Sequence, residues 1–94
     1  MPDFKPRDPD YAARVRASFD RQQVMAWIGA KLTHLAPGHC EIPLPHKPEL
    51  TQQHGYIHGG IIGTIGDTAG GYAAYTLMAH DASVLTVEYK MNIM

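Results

Sequence analysis

A chain of 94 residues with a formal net charge of −1 has room for one small core, so one domain or less is expected. Lys and Arg total 8 against 9 for Asp and Glu with no block of either sign, which leaves out the basic footprint of a nucleic-acid binder. Cys40 is the only cysteine, so no intrachain disulfide forms; the compartment expected is reducing and cytoplasmic, and support is expected from a partner subunit.

Residues 1–10 are Pro-rich and charged, unlike a signal peptide or an Arg-rich transit peptide. Asp8 followed by Pro9 is a helix start, a capping carboxylate and then a residue whose missing N–H costs nothing at the first helical position. A helix is predicted over 9–21, with Ala12, Val15 and Phe19 as its apolar stripe, Arg14, Asp20 and Arg21 facing water, and Arg16 beside the stripe. A second short helical turn falls over 22–27. From Ile28 to Leu35 the period shortens, and the turn dipeptide Pro37-Gly38 separates this run from Cys40, Ile42 and Leu44, which alternate with Glu41 and Pro43. A hairpin is predicted, its second strand at an edge or ending at Pro43, which has no N–H for a ladder. Residues 45–55 hold two prolines and no period, and read as a loop.

From His58 or Gly59 to about Leu77, Ile61, Ile65, Thr68, Tyr72 and Tyr75 fall on one helical stripe, and Ile62, Ala69, Ala73 and Leu77 broaden it. An enclosed helix is expected. Its remaining side is Gly63, Gly66, Asp67, Gly70 and Ala74. Glycine in a helix interior costs about 1 kcal/mol relative to alanine, so this side calls for close approach of a backbone or a ligand. The stretch 61–79 is apolar enough to raise a membrane span, and Gly66 and Gly70 make a GxxxG, but a carboxylate at Asp67 is costly in lipid; a buried helix of a soluble domain is preferred. Finally Leu85, Val87, Tyr89, Met91 and Ile93 alternate with Thr86, Glu88, Lys90 and Asn92, predicting a strand with one buried face. The pattern is still running at Met94. A free strand there would expose a long edge, so either relatives continue further or another copy pairs with it.

The segment Gln52-Gln53-His54-Gly55-Tyr56-Ile57-His58-Gly59-Gly60, with Asp67 nine residues after His58, carries the chemistry. Two glycines opening a helix leave its first N–H groups unobstructed, with the helix dipole behind them, to face an anion or oxyanion. Asp67 inside an apolar helix needs a partner or a job, a hydrogen-bonded structural Asp being the plain alternative. Eight residues from Gly59 to Asp67 span about 12 Å along one helix, too far for both to touch one reacting carbonyl. If the two cooperate, Gly59 of one copy faces Asp67 of another across a two-fold interface.

The run His58-Gly59-Gly60-Ile61-Ile62-Gly63-Thr64-Ile65-Gly66-Asp67-Thr68-Ala69, preceded by Gln52-Gln53-His54-Gly55 and followed by 83–94, resembles the hotdog-fold thioesterases of the phenylacetate-degradation (PaaI) type over residues 28–94. The resemblance implies an α+β hotdog fold, a long central helix wrapped by a curved antiparallel sheet, with the C-terminal strands missing here. It divides the chain into an N-terminal helical segment, 1–27, and the first part of the thioesterase domain, 28–94. It implies hydrolysis of acyl-CoA, short-chain or aromatic acyl groups foremost, without metal or organic cofactor, by dimers or pairs of dimers. Asp67 falls on the family's carboxylate, which activates water or attacks the thioester, and Gly59 on the residue whose N–H polarises the carbonyl. His58 falls on the histidine supporting the helix start. Gln52 stands where many members have an Asn that contacts water or substrate, and is one methylene longer. Gly60 and Thr86 are the substrate-contact candidates.

Other readings fare worse. Neither GxGxxG nor GxxxxGK[ST] is present, and no Lys lies near the glycines, which removes a nucleotide site. His54 and His58 have a metal-ligand spacing, but the intervening and following glycines break the helix it needs, and no HExxH or cysteine pair completes a zinc site. His34, His39, His46 and His80 read as surface or turn residues; Trp27, Tyr72, Tyr75 and the methionines as core or pocket lining. A hotdog hydratase would use a His and an acid at a different spacing. A catalytically silent module that dimerises or binds acyl groups is the remaining alternative.

Overall fold

The computed structural model describes residues 3–92, as α1 (Tyr11–Asp20), α2 (Gln23–Ile28), β1 (His34–Ala36), β2 (His39–Glu41), a 3-10 turn (Pro48–Leu50) and α3 (Gly59–Tyr75). The class is α+β, a long helix with a small two-stranded antiparallel sheet. No helix among the described residues is long and apolar enough to cross a membrane.

Helix α1 begins two residues later than Pro9. The Asp8 carboxylate accepts from Asp10 N–H at 2.9 Å and the Asp8 carbonyl from Tyr11 N–H at 3.1 Å, so Pro9 and Asp10 form a turn ahead of the helix. Val15 and Phe19 of α1 are buried as expected, and α2 adds Met25 and Ile28 to the same core as Ile42, Leu50 and Tyr72. Ile28 thus closes α2 rather than opening a strand, and Gly29 ends the helix in the left-handed region at φ +82°. Trp27, expected inside, is 80% exposed. Met25 and Ile28, three apart, take the single buried face of this short helix, and Trp27 falls off that face.

The hairpin forms with Leu35 opposite Cys40, and Pro37 with Gly38 (φ +75°) occupies the two corner positions in the pattern of a type II turn. β2 ends at Glu41; Pro43 contributes only its carbonyl, to Lys31 N–H at 3.4 Å. The turn is fastened to the end of α3, because Gly38 N–H donates to Thr76 Oγ1 at 2.7 Å. Cys40 Sγ donates to Ala69 O at 3.2 Å, and burial pushes its thiol pKa up, partly opposed by backbone hydrogen bonding at Ala73.

Helix α3 lays Thr68 and Tyr72 into the core, with Ile61, Ile65, Ala69 and Tyr75 packed partly against it. It is not enclosed: Ile62, Gly70 and Ala74 are exposed. The expected final strand is an extended segment with no ladder, and Ile93, the last position of its pattern, lies outside the described residues. Among the described residues no neighbouring strand offers it hydrogen bonds, so it rests on α3 instead, Val84 over Gly71, Tyr89 over Gly63 and Met91 over Gly66. These contacts change parity between Val84 and Tyr89, and Leu85 and Val87 stay 89% and 94% exposed. The chain accordingly exposes 6713 Å², where a compact monomer of its mass exposes about 5400 Å².

Arg14, expected to face water, is the strongest correction. Its guanidinium donates to the carbonyls of Tyr75 at 2.8 Å, Met78 at 3.1 Å and Ala79, lies 4.3 Å from the Tyr75 ring centroid, and pairs with Asp8 at 3.4 Å without hydrogen-bond geometry. A cation there adds a second donor to the Tyr75 and Ala79 carbonyls, which also accept from Met78 and Ala82 N–H, supplies a donor to Met78 O, and complements the negative end of the α3 dipole. Arg14→Ala is expected to lower the unfolding free energy by on the order of 2 kcal/mol, and Arg14→Lys to recover only part. Urea titration checks this, and coincident midpoints for parent and Arg14→Ala would deny the clasp any role.

Candidate active site

The start of α3 is built by the loop before it. Leu50 is buried, Thr51 bridges to Ile57, Gln52 N–H donates to Tyr56 O at 2.8 Å, and Gly55 turns the chain at φ +85°. His58 N–H then donates to Leu50 O at 2.8 Å, so the residue before the helix is pinned to the core. The Gln52 side-chain oxygen accepts from His54 N–H at 2.6 Å and is turned into its own loop.

His58 is the N-cap of α3. Its Nδ1 accepts from Gly60 N–H at 2.9 Å, which assigns the ring proton of the neutral form to Nε2, while its carbonyl accepts from Ile61 and Ile62 at 2.9 and 3.2 Å. The amides of Gly60, Ile61 and Ile62 are thereby occupied. Gly59 N–H, among the described residues, donates to nothing, and it is exposed at the positive end of the helix. Gly60 offers its bare backbone but not its N–H.

Asp67 lies about 12 Å further along the same helix, eight residues at 1.5 Å each, so one chain does not bring it to Gly59. It is half-buried, and its Oδ1 accepts from Thr86 Oγ1 at 2.7 Å. Both line a hollow of about 400 Å³ together with Arg21, Gln22, Tyr72 and Ser83. Ser18 Oγ and Gln22 Nε2 hold the Tyr72 hydroxyl at 2.9 and 3.0 Å, which makes one wall of this hollow polar. Sequence reasoning missed Ser18, Arg21 and Gln22, having set residues 1–27 apart from the site. The available signal was Ser18 and Gln22, polar and four apart beside the buried Val15 and Phe19. Another hollow of about 390 Å³, under Arg16 and Lys31, is lined by neither Gly59 nor Asp67.

The small side of α3 is explained in part. A Cβ at Gly63 or Gly66 would meet the Tyr89 hydroxyl or the Met91 methyl, whereas one at Gly70 would meet nothing within 4 Å.

Comparison with known proteins gives the site a context. A crystal structure of a thioesterase family protein from Silicibacter pomeroyi superposes with a TM-score of 0.85 and 54% sequence identity, over 87% of this chain and 60% of that one. This chain is similar to a thioesterase. Two curated proteins carrying the name "Putative esterase" also match, from Saccharolobus solfataricus (36% identical, covering 77% of this chain and 51% of the relative) and Halobacterium salinarum (27%, 89% and 58%). The chain thus spans about half the length of the curated relatives it matches. No protein-family model matches it.

The cap makes a direct expectation. His58→Ala leaves Gly60 N–H without an acceptor and is expected to cost about 1 kcal/mol, most of it recovered by His58→Asn, whose side chain also caps. Equal urea midpoints for parent and His58→Ala would show that the helix start is held by the Leu50 bond alone.

Proposed function

We propose that this chain is part of a hotdog-fold acyl-CoA thioesterase of the PaaI type, and that Asp67 is its catalytic carboxylate. The observation that carries the reading is Asp67 itself, a carboxylate facing a polar hollow with one oxygen held by Thr86 and the other left for water or substrate. The similarity to a thioesterase family protein supports it.

In this reading the unpaired Gly59 N–H and the α3 dipole stabilise the oxyanion that forms when the thioester carbonyl is attacked. Asp67 either takes a proton from the attacking water and returns it to the departing CoA sulfur, or attacks the carbonyl itself to give an acyl anhydride that water then hydrolyses, a proton of that water going to the released CoA thiolate. His58 keeps Gly59 in place by holding the next amide, Gly60 and Thr86 border the substrate, and Gln52 contacts water or substrate once its oxygen leaves the loop. Because Gly59 and Asp67 of one chain are too far apart, the working site takes one from each copy of a homodimer, alone or within a dimer of dimers. Leu85 and Val87, exposed beside the site on a segment with unpaired backbone, give that second copy an apolar surface to cover. The substrates proposed are short-chain or aromatic acyl-CoAs, in a cytoplasmic setting and without metal or organic cofactor in the chemistry.

Asp67→Asn is expected to lower kcat by roughly 10²- to 10⁴-fold with the fold intact, and Gly59→Pro by about 10²- to 10³-fold. Free-thiol release from a panel of short, aromatic and long acyl-CoAs checks both. Full activity in Asp67→Asn would remove Asp67 from the mechanism; release by neither parent nor variant would favour an acyl-binding module without turnover.

A further inference from the structure

The outer face of the hairpin carries a constellation that the thioesterase reading does not use. Residues directly opposite in an antiparallel pair share a face, as do residues two apart on one strand. His34 pairs with Glu41 and Ala36 with His39, so His34, Glu41 and His39 lie together on one side, with Leu35 and Cys40 on the other. One ligand atom from each of the three comes within 4.8 Å of the others. The two imidazoles meet edge to face at 5.3 Å, and His39 Nε2 is 3.7 Å from Glu41 Oε2. Ligands of a tetrahedral zinc ion lie about 3.3 Å apart, so the His39–Glu41 edge is almost formed and the remaining separations, within 4.8 Å, close by small side-chain rotations.

We propose that His34, His39 and Glu41 bind a divalent transition metal of the zinc class. Imidazole and carboxylate are the donors such an ion takes, and three protein ligands leave a fourth position for water or another carboxylate. Asp3 lines the same hollow, of about 320 Å³, as both histidines. The hairpin is held in place from behind, by Cys40 bonded to Ala69 O and Gly38 bonded to Thr76, so the donors are carried on a fixed frame. The group paired with His39 is Glu41 itself, at 3.7 Å and beyond hydrogen-bond distance, so ligation redirects a contact within the trio. No residue lines both this hollow and that of Asp67, which makes the ion a staple across the two strands and not a reagent.

Calorimetric titration of zinc sulfate into the chelator-treated full chain at neutral pH tests this, beside His34→Ala, His39→Ala and the near-isosteric Glu41→Gln. A double variant, His46→Ala with His80→Ala, controls for stray imidazoles, and cobalt in place of zinc gives visible absorption from the bound ion. The expected result is one equivalent bound at micromolar Kd, weakened on the order of ten-fold or more in each ligand variant and unchanged in the control. Absence of binding by the parent, affinity unaltered in His39→Ala, or loss in the control would overturn the site.

Discussion

Helix α3 is held at both ends by side chains that hydrogen-bond to its terminal backbone and the turn that follows it, and the rest of the structure is arranged around that fixation. At the N-terminus His58 Nδ1 takes Gly60 N–H, and His58 N–H is itself tied to Leu50 O. At the other end Arg14 reaches from α1 to the carbonyls of Tyr75, Met78 and Ala79, and Thr76 receives the hairpin turn through Gly38. A helix rich in glycine has a weak intrinsic preference for its own conformation, so these fixed ends and the burial of Thr68 and Tyr72 carry what propensity does not.

That fixation determines which groups remain open. Of the first amides of α3 only Gly59 N–H lacks an acceptor among the described residues, and the helix's one carboxylate, Asp67, is set against a hydroxyl in a hollow. The two sit on one rigid rod and cannot converge. A reaction using both therefore requires a second copy, which is why the proposed chemistry and the proposed dimer stand or fall together. The polar wall that Ser18, Gln22 and Tyr72 give the hollow also ties α1 to the site, so the N-terminal helices belong to the same core and the same pocket as the rest.

Local signals were legible in the sequence. Pro37-Gly38 announces its turn, His58-Gly59-Gly60 its helix start, and Val15 and Phe19 their buried face, because each depends on neighbours within one turn. Arg14 was misread for the opposite reason: its partners lie 61 to 65 residues away, and periodicity turns it toward water without naming what it meets. Trp27 was misread because a large aromatic is usually internal, whereas a helix of six residues has one buried face and Met25 and Ile28 fill it. The alternation from Leu85 onward is real in sequence, but a strand needs an adjacent backbone, and within the described residues none is offered. His34 and His39 were read as surface or turn residues, because they converge with Glu41 only through the hairpin register.

The two-copy site is open to a decisive mixing measurement: thiol release by Asp67→Asn chains combined with Gly59→Pro chains, after dissociation and reassembly. If Gly59 and Asp67 act across an interface, mixed dimers contain one intact site, and activity absent from either variant alone returns on mixing. If mixing restores nothing although hybrid dimers have formed, the two residues do not work in trans, and the proposed shared site is wrong.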